Sequence, residues 1–185
     1  MRVLVAYATR HGATAGIAER IAETLRTRGL DVTLTRAGDV RDANAYDACV
    51  IGSAAYMHHW LGDATNLVRR NSRILRERPV WLFSSGPIGS ELVDSQGRDV
   101  VEASVPEEFG ALADDIRPRD RRVFFGAYDP DAPPANVMER LGSVFIRMPA
   151  IRAQMPSGDF RDWAAIEAWA NGIADALLPA PVATV

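Results

Sequence analysis

Arg2-Val3-Leu4-Val5-Ala6-Tyr7-Ala8, running into Thr9-Arg10-His11-Gly12-Ala13-Thr14, is the stretch from which the fold can be read. A β-rich apolar run stops at a turn. Ile17, Ile21 and Leu25 then recur at i, i+4 and i+8, with Glu19, Arg20 and Glu23 on other faces. That pattern is a strand, a turn and an amphipathic helix, and Gly29 supplies the helix stop.

The alternation continues outward from this unit. Leu30 to Thr35 alternates apolar and polar residues, as a strand near a sheet edge does. Asp47 to Ser53 is a continuous apolar run, as expected of a strand buried on both faces, and Pro79 to Phe83 is another. Between them Asp63 is placed to cap a helix striped by Ala64, Leu67, Val68, Ile74 and Leu75. Residues 90–103 read as loop, and Ser104-Val105-Pro106-Glu107 has capping-box spacing for a helix through Ile116. Arg122 to Ala127 gives a fifth strand, and Asp162 opens a last helix carrying Trp163, Ile166, Trp169, Ile173 and Leu177. Five strands alternating with helices predict an α/β fold: a parallel sheet, order 2-1-3-4-5, covered by helices on both faces.

Length and composition agree with one domain. The chain has 185 residues, 48% of them hydrophobic, and a net charge of -3. The expected organisation is a single domain over residues 1–178 with a frayed tail at 179–185. The composition fits neither a disordered chain nor a membrane span, and the N-terminus lacks a signal peptide's pattern, so a soluble cytoplasmic protein is the default. Cys49, the single cysteine, excludes an internal disulfide and lies in an apolar run, where a buried inert thiol is expected. Three histidines at these spacings make no metal site, so none is expected. The basic residues are all arginine and scattered, and with no basic stripe nucleic acid is not expected as a partner.

In such a sheet the ligand crevice lies beyond the strand C-termini, which directs attention to the loops at 9–14, 53–60 and 84–89. The first places hydroxyls at Thr9 and Thr14 around Gly12 and leads straight into a helix, the arrangement of an anion cradle. It is neither GxxxxGK[ST] nor GxGxxG. The second, Gly52-Ser53-Ala54-Ala55-Tyr56-Met57-His58-His59-Trp60, passes from small residues to aromatic ones. Its rings either stack on a flat ligand or pack into the helix behind. The third offers Ser84, Ser85, Gly86 and Gly89, backbone with little side-chain bulk.

These residues resemble the flavodoxin superfamily. Thr9-Arg10-His11-Gly12-Ala13-Thr14 is similar to its phosphate loop: a hydroxyl residue, two variable positions, glycine, one variable position and threonine. Within that superfamily the chain most resembles the menaquinone-dependent protoporphyrinogen oxidases, through Tyr46-Asp47 leading to Val50-Ile51-Gly52-Ser53, Phe125-Gly126-Ala127, and Asp162-Trp163. His11 departs from the acidic or hydroxyl residue more usual at its position. The resemblance implies FMN as cofactor, with its phosphate held by Thr9, Arg10, His11, Gly12, Ala13 and Thr14. It implies that the isoalloxazine ring lies between Ser53, Ala54, Ala55, Tyr56, Met57 and Trp60 on one side and Ser84, Ser85, Gly86, Pro87 and Gly89 on the other. It further implies an FMN-dependent oxidoreductase of heme biosynthesis, moving electrons from an organic donor to a quinone or similar acceptor. A flavodoxin-type carrier serving redox protein partners is the alternative.

Tyr128 to Arg161 is far longer than an ordinary strand-to-helix connection, and Val137, Leu141, Val144, Phe145 and Met148 form an apolar helical face opposed by Arg140, Ser143 and Arg147. Val137-Met148 either meets a membrane surface or partner, placing the protein peripherally at the inner membrane, or packs on its own domain. His58 and His59 are candidate proton donors or plain surface residues. No side chain is assigned a catalytic role.

Overall fold

The computed structural model describes residues 1–129 and 157–179. The Val137-Met148 stretch and the tail from 180 onward lie outside them.

The strands are β1 (Arg2–Ala8), β2 (Asp31–Arg36), β3 (Ala48–Tyr56), β4 (His59–Trp60), β5 (Val80–Ser85), β6 (Asp120–Phe124), β7 (Ala127–Tyr128) and β8 (Gly158–Asp159). Among the described residues the helices are α1 (Ala13–Thr27), α2 (Gly62–Arg70), α3 (Ser72–Arg76), α4 (Val100–Ala103), α5 (Glu108–Ile116) and α6 (Trp163–Leu177), with a 3-10 turn at Ala37–Asp39. Five strands pair in parallel in the order β2-β1-β3-β5-β6, which is the predicted 2-1-3-4-5 arrangement.

Alternation along β1 sorts the core into two layers. Val3 and Val5 face α1 and α6, packing with Ile17, Ile21, Phe83, Ile166 and Trp169. Leu4 and Ala6 face the other way, onto α2, α3 and α5 through Leu67, Leu75, Phe109 and Leu112. Cys49 is fully buried in the second layer, and loss of hydration pushes its thiol up to about 12, so it is inert as a nucleophile.

Several boundaries differ from the sequence reading. β3 runs on through Tyr56 and folds back on β4 as a hairpin, pairing Ala55 with Trp60 and Tyr56 with His59. The predicted helix after Asp63 is two helices. Leu61 occupies the N-cap without a side-chain bond, and Asn71 interrupts by turning its amide to Leu67 O and accepting from Ala43 N. The capping box at Ser104 does not form: Ser104 instead closes α4, donating its N–H to Val101 O, and α5 starts at Glu108. Residues 90–103 are thus not all loop, holding α4 and a bridge between Val93 and Asp99. The fifth strand begins earlier than expected, at Asp120. Ala127 instead leaves the main sheet to pair with Asp159 in the small β7-β8 ribbon.

Candidate functional site

β1 leads to β2 on one side and the chain then returns to β3 on the other, so the topological switch point falls between β1 and β3. Their pairing ends at Ala8 and Ser53, and beyond it lies the crevice where ligands of such sheets bind. The loop at 9–14 rises from β1, the β3-β4 hairpin from β3, and residues 86–89 from β5.

The first loop is closed by its own residues. Gly12 N–H donates to Thr9 Oγ1 at 3.1 Å, which fixes the turn. Gly12 is the N-cap of α1 at φ +88, with no side-chain cap, and a Cβ there would touch nothing within 4 Å. Glycine is needed for its backbone conformation, not for space. The first intrahelical bond is Gly16 N–H to Gly12 O, so the amides of Ala13, Thr14 and Ala15 have no acceptor within the helix. Thr14 is fully buried, and its Oγ1 has no hydrogen-bond partner among the described residues. A buried hydroxyl without a partner costs about 1–3 kcal/mol. Uncapped amides, a helix dipole and an orphaned hydroxyl converge here, a donor set suited to a tetrahedral anion. Arg10 and His11 are exposed on the same loop, and Ala13 is half-buried.

The ring side of the site is less open than the sequence suggested. Ser53 and Ala54 are strand residues in the sheet. Ser53 Oγ donates to Ala54 O and accepts from Leu61 N–H, which fastens the hairpin base. Ala55 and Tyr56 are half-buried, and Met57 and His58 form the exposed turn. Both turn residues have positive φ, 49° and 64°, a costly conformation for side chains other than glycine. Trp60 turns inward instead of facing the crevice. It is 5% exposed and meets Phe109 edge-on at 5.3 Å, so as a ring-stacking residue it is corrected to a core residue. Tyr56 is the aromatic residue left at the crevice, with the Arg10 guanidinium 4.5 Å from its ring centroid.

In the third segment, Ser84 and Ser85 are buried in β5, and Ser84 Oγ donates to Ser53 O at 3.4 Å. Gly86, Pro87 and Gly89 project beyond the strand and are half-buried, with Gly86 N–H bonded to Phe124 O and Gly126 N–H to Pro87 O.

Three residues of this region carried no sequence signal. Glu108 holds the hairpin, accepting from Trp60 N–H at 3.0 Å and lying 3.2 Å from His59 Nδ1, while Glu107 N–H donates to His58 O. His59 is thereby committed to the α5 carboxylates. Arg161 returns to the first loop from 148 positions away: its Nη1 donates to Ala13 O, and its guanidinium stacks 4.3 Å over Trp163. Asp159 takes two bonds from the same guanidinium, both 2.7 Å, and these hold its carboxyl below the usual range. The fit is close, since a Cβ on Gly16 would fall 2.5 Å from Arg161 Nη1. A cleft of about 460 Å³ opens beside this anchor, between His11, Tyr128 and Gly158.

Residues 4–132 match the flavodoxin domain family. No curated protein matches the chain in sequence. Among solved structures, rubredoxin oxygen:oxidoreductase from the anaerobe Desulfovibrio gigas is 14% identical over 95% of this chain, with a TM-score of 0.56, and this chain spans 36% of its length. A cysteine-to-serine variant of flavodoxin from Pseudomonas aeruginosa is 12% identical, covering 96% of this chain and 99% of its own, with a TM-score of 0.53. Two-electron reduced Megasphaera elsdenii flavodoxin is 17% identical over 77% of this chain and 96% of its own, with a TM-score of 0.52. At these identities the structures speak to the fold alone.

Proposed function

Because this chain belongs to the flavodoxin domain family, we propose that it binds FMN across the β1-β3 switch point. We propose further that it acts as an oxidoreductase resembling the menaquinone-dependent protoporphyrinogen oxidases. The observation that carries the cofactor assignment is Thr14, whose buried hydroxyl lacks a partner at the uncapped start of α1. In this reading Thr14 Oγ–H, Thr9 Oγ–H and the first-turn amides hold the phosphate, with Gly12 setting the turn that aims them. The backbone of Ala54 to Tyr56 and of Gly86 to Gly89 brackets the ring, and the Tyr56 ring flanks it. FMN held there would supply the redox chemistry, for an organic donor and a quinone-like acceptor. The protein's part is to bind and orient the flavin.

The Val137-Met148 stretch is proposed to meet the inner membrane surface, where a lipid-soluble acceptor is found. The proposed contact is peripheral; among the described residues no helix is long and apolar enough to cross a membrane.

A second reading, a carrier for redox protein partners, is favoured by the segment after β5. Exposed Leu92, Val93 and Val105 lie in it with Glu91, Asp94, Asp99, Glu102 and Glu107, Arg98 is its basic residue, and Glu107 N–H bonds His58 O next to exposed Met57. Such a segment suits a basic protein and is repelled by anionic lipid.

Visible absorption of the purified protein and titration of its apo form test the cofactor. Tight FMN binding with much weaker riboflavin binding is expected, and indifference to FMN would sink both readings. Turnover of a porphyrinogen with menaquinone is expected from the oxidase; reduction by a flavodoxin reductase without such turnover would establish the carrier.

A further inference from the structure

Arg10 sits inside the anion loop, where charge alone would make it a phosphate ligand. Its guanidinium nevertheless lies over the Tyr56 ring, 4.5 Å from the centroid, on the opposite side of the switch point. Arginine's planar group stacks on aromatic faces, and an exposed contact of this kind is favourable without needing a dry site. Tyr56 is the last β3 residue before the Met57-His58 turn, both of whose residues sit in the left-handed region. A strained turn persists only when its surroundings hold it. The α5 side holds it through Glu108, which accepts from Trp60 N–H, and through Glu107 N–H on His58 O. On the side of the first loop, Arg10 contacts Tyr56, the residue that leads into the turn.

Resting on the FMN reading, we propose that Arg10 is a positioning residue for the ring end of the flavin, acting through Tyr56, and not a ligand of the phosphate. The phosphate is left to Thr14, Thr9 and the amides, which need no cationic side chain. The stack makes the loop that binds one end of the cofactor also set the aromatic wall at the other end.

The test loads wild type, Arg10→Gln, Tyr56→Leu and the double variant with FMN and reads two ends of the cofactor separately. The visible band reports the ring and the phosphorus resonance reports the phosphate. Arg10→Gln is expected to shift the visible band as Tyr56→Leu does, to leave the phosphorus resonance where it is, and to weaken FMN about two- to fivefold. Adding Arg10→Gln to Tyr56→Leu should then weaken binding no further. A moved phosphorus resonance, an unmoved visible band, or an undiminished Arg10 effect in the Tyr56→Leu background would each overturn the proposal. Failure of the wild type to bind FMN would show earlier, before any variant is compared, that the cofactor reading itself had failed.

Discussion

At Thr14 the proposed cofactor site and stability pull in opposite directions. Its hydroxyl is fully buried with no partner in a protein whose core is otherwise well satisfied: Trp60 Nε1 is the other buried side-chain atom so placed among the described residues. Thr14→Val keeps the shape and removes the polar atom. The expected outcome has opposite signs in the two states. Apo stability should rise by about 1 kcal/mol in urea unfolding, because an unsatisfied group is gone. FMN affinity should fall about ten- to a hundredfold, the worth of a hydrogen bond to a charged group. A variant that binds FMN as tightly as wild type would remove Thr14 from the cradle. The sequence marks this residue as a candidate because the proposed anion loop is local, six consecutive positions leading into a helix. What it could not supply was the burial of the hydroxyl, which depends on the whole layer packed behind α1.

Elements were legible wherever apolar period decided them and illegible where a side chain was diverted elsewhere. β3 and β5 read as buried strands because every residue along them is apolar or small, and both are buried nearly throughout. The β3-β4 hairpin gave no warning, since Met57-His58 lacks the glycine or asparagine that marks a turn of this hand. Asn71 broke a helix by bonding to Ala43, 28 residues away, and Ser104 was used by α4 instead of α5. Gly52, in the middle of β3, opens the run of small residues that leads to the hairpin and is a packing residue. A Cβ there would lie 2.0 Å from Phe83 Cζ, and Phe83 is itself wedged against Phe124 and Trp169 at 6.4 and 6.2 Å. Gly52→Ala should therefore lower stability by about 3 kcal/mol in denaturant unfolding, at the upper end of overpacking costs. Phe83→Leu in the same chain should restore part of it. No loss in the single variant would mean that the ring can move aside without cost.

At the scale of the molecule, the C-terminal part is fastened to the sheet by carboxylates. Asp159 grips Arg161, which reaches the start of α1. Asp120, on the edge strand β6, accepts from Trp169 Nε1 on α6 at 2.7 Å. Burial would raise the Asp120 carboxyl, but bonds from Trp169, Arg121 N–H and Arg122 outweigh it and hold the group below its ordinary value. Arg161 holds Asp159 low in the same direction. A carboxyl with a lower pKa in the folded state contributes stability above its unfolded value, near 4, and loses that contribution as pH falls through the folded value. The stability gap between wild type and Asp159→Asn should accordingly be full at pH 7 and close below about pH 4, with Asp120→Asn behaving alike. Because both pairs bind α6 and its leading segment, acid should loosen this side before the sheet. Tryptophan fluorescence, which includes Trp163 and Trp169 on α6, is then expected to change at higher pH than far-ultraviolet ellipticity. A gap that stays constant down to pH 2, or two signals that move together, would mean that these carboxylates do not hold the C-terminal helix in place. The same attachment bears on the cradle: Arg161 touches Ala13 O one residue before Thr14, so weakening it should loosen the anion loop and cost FMN affinity in acid as well.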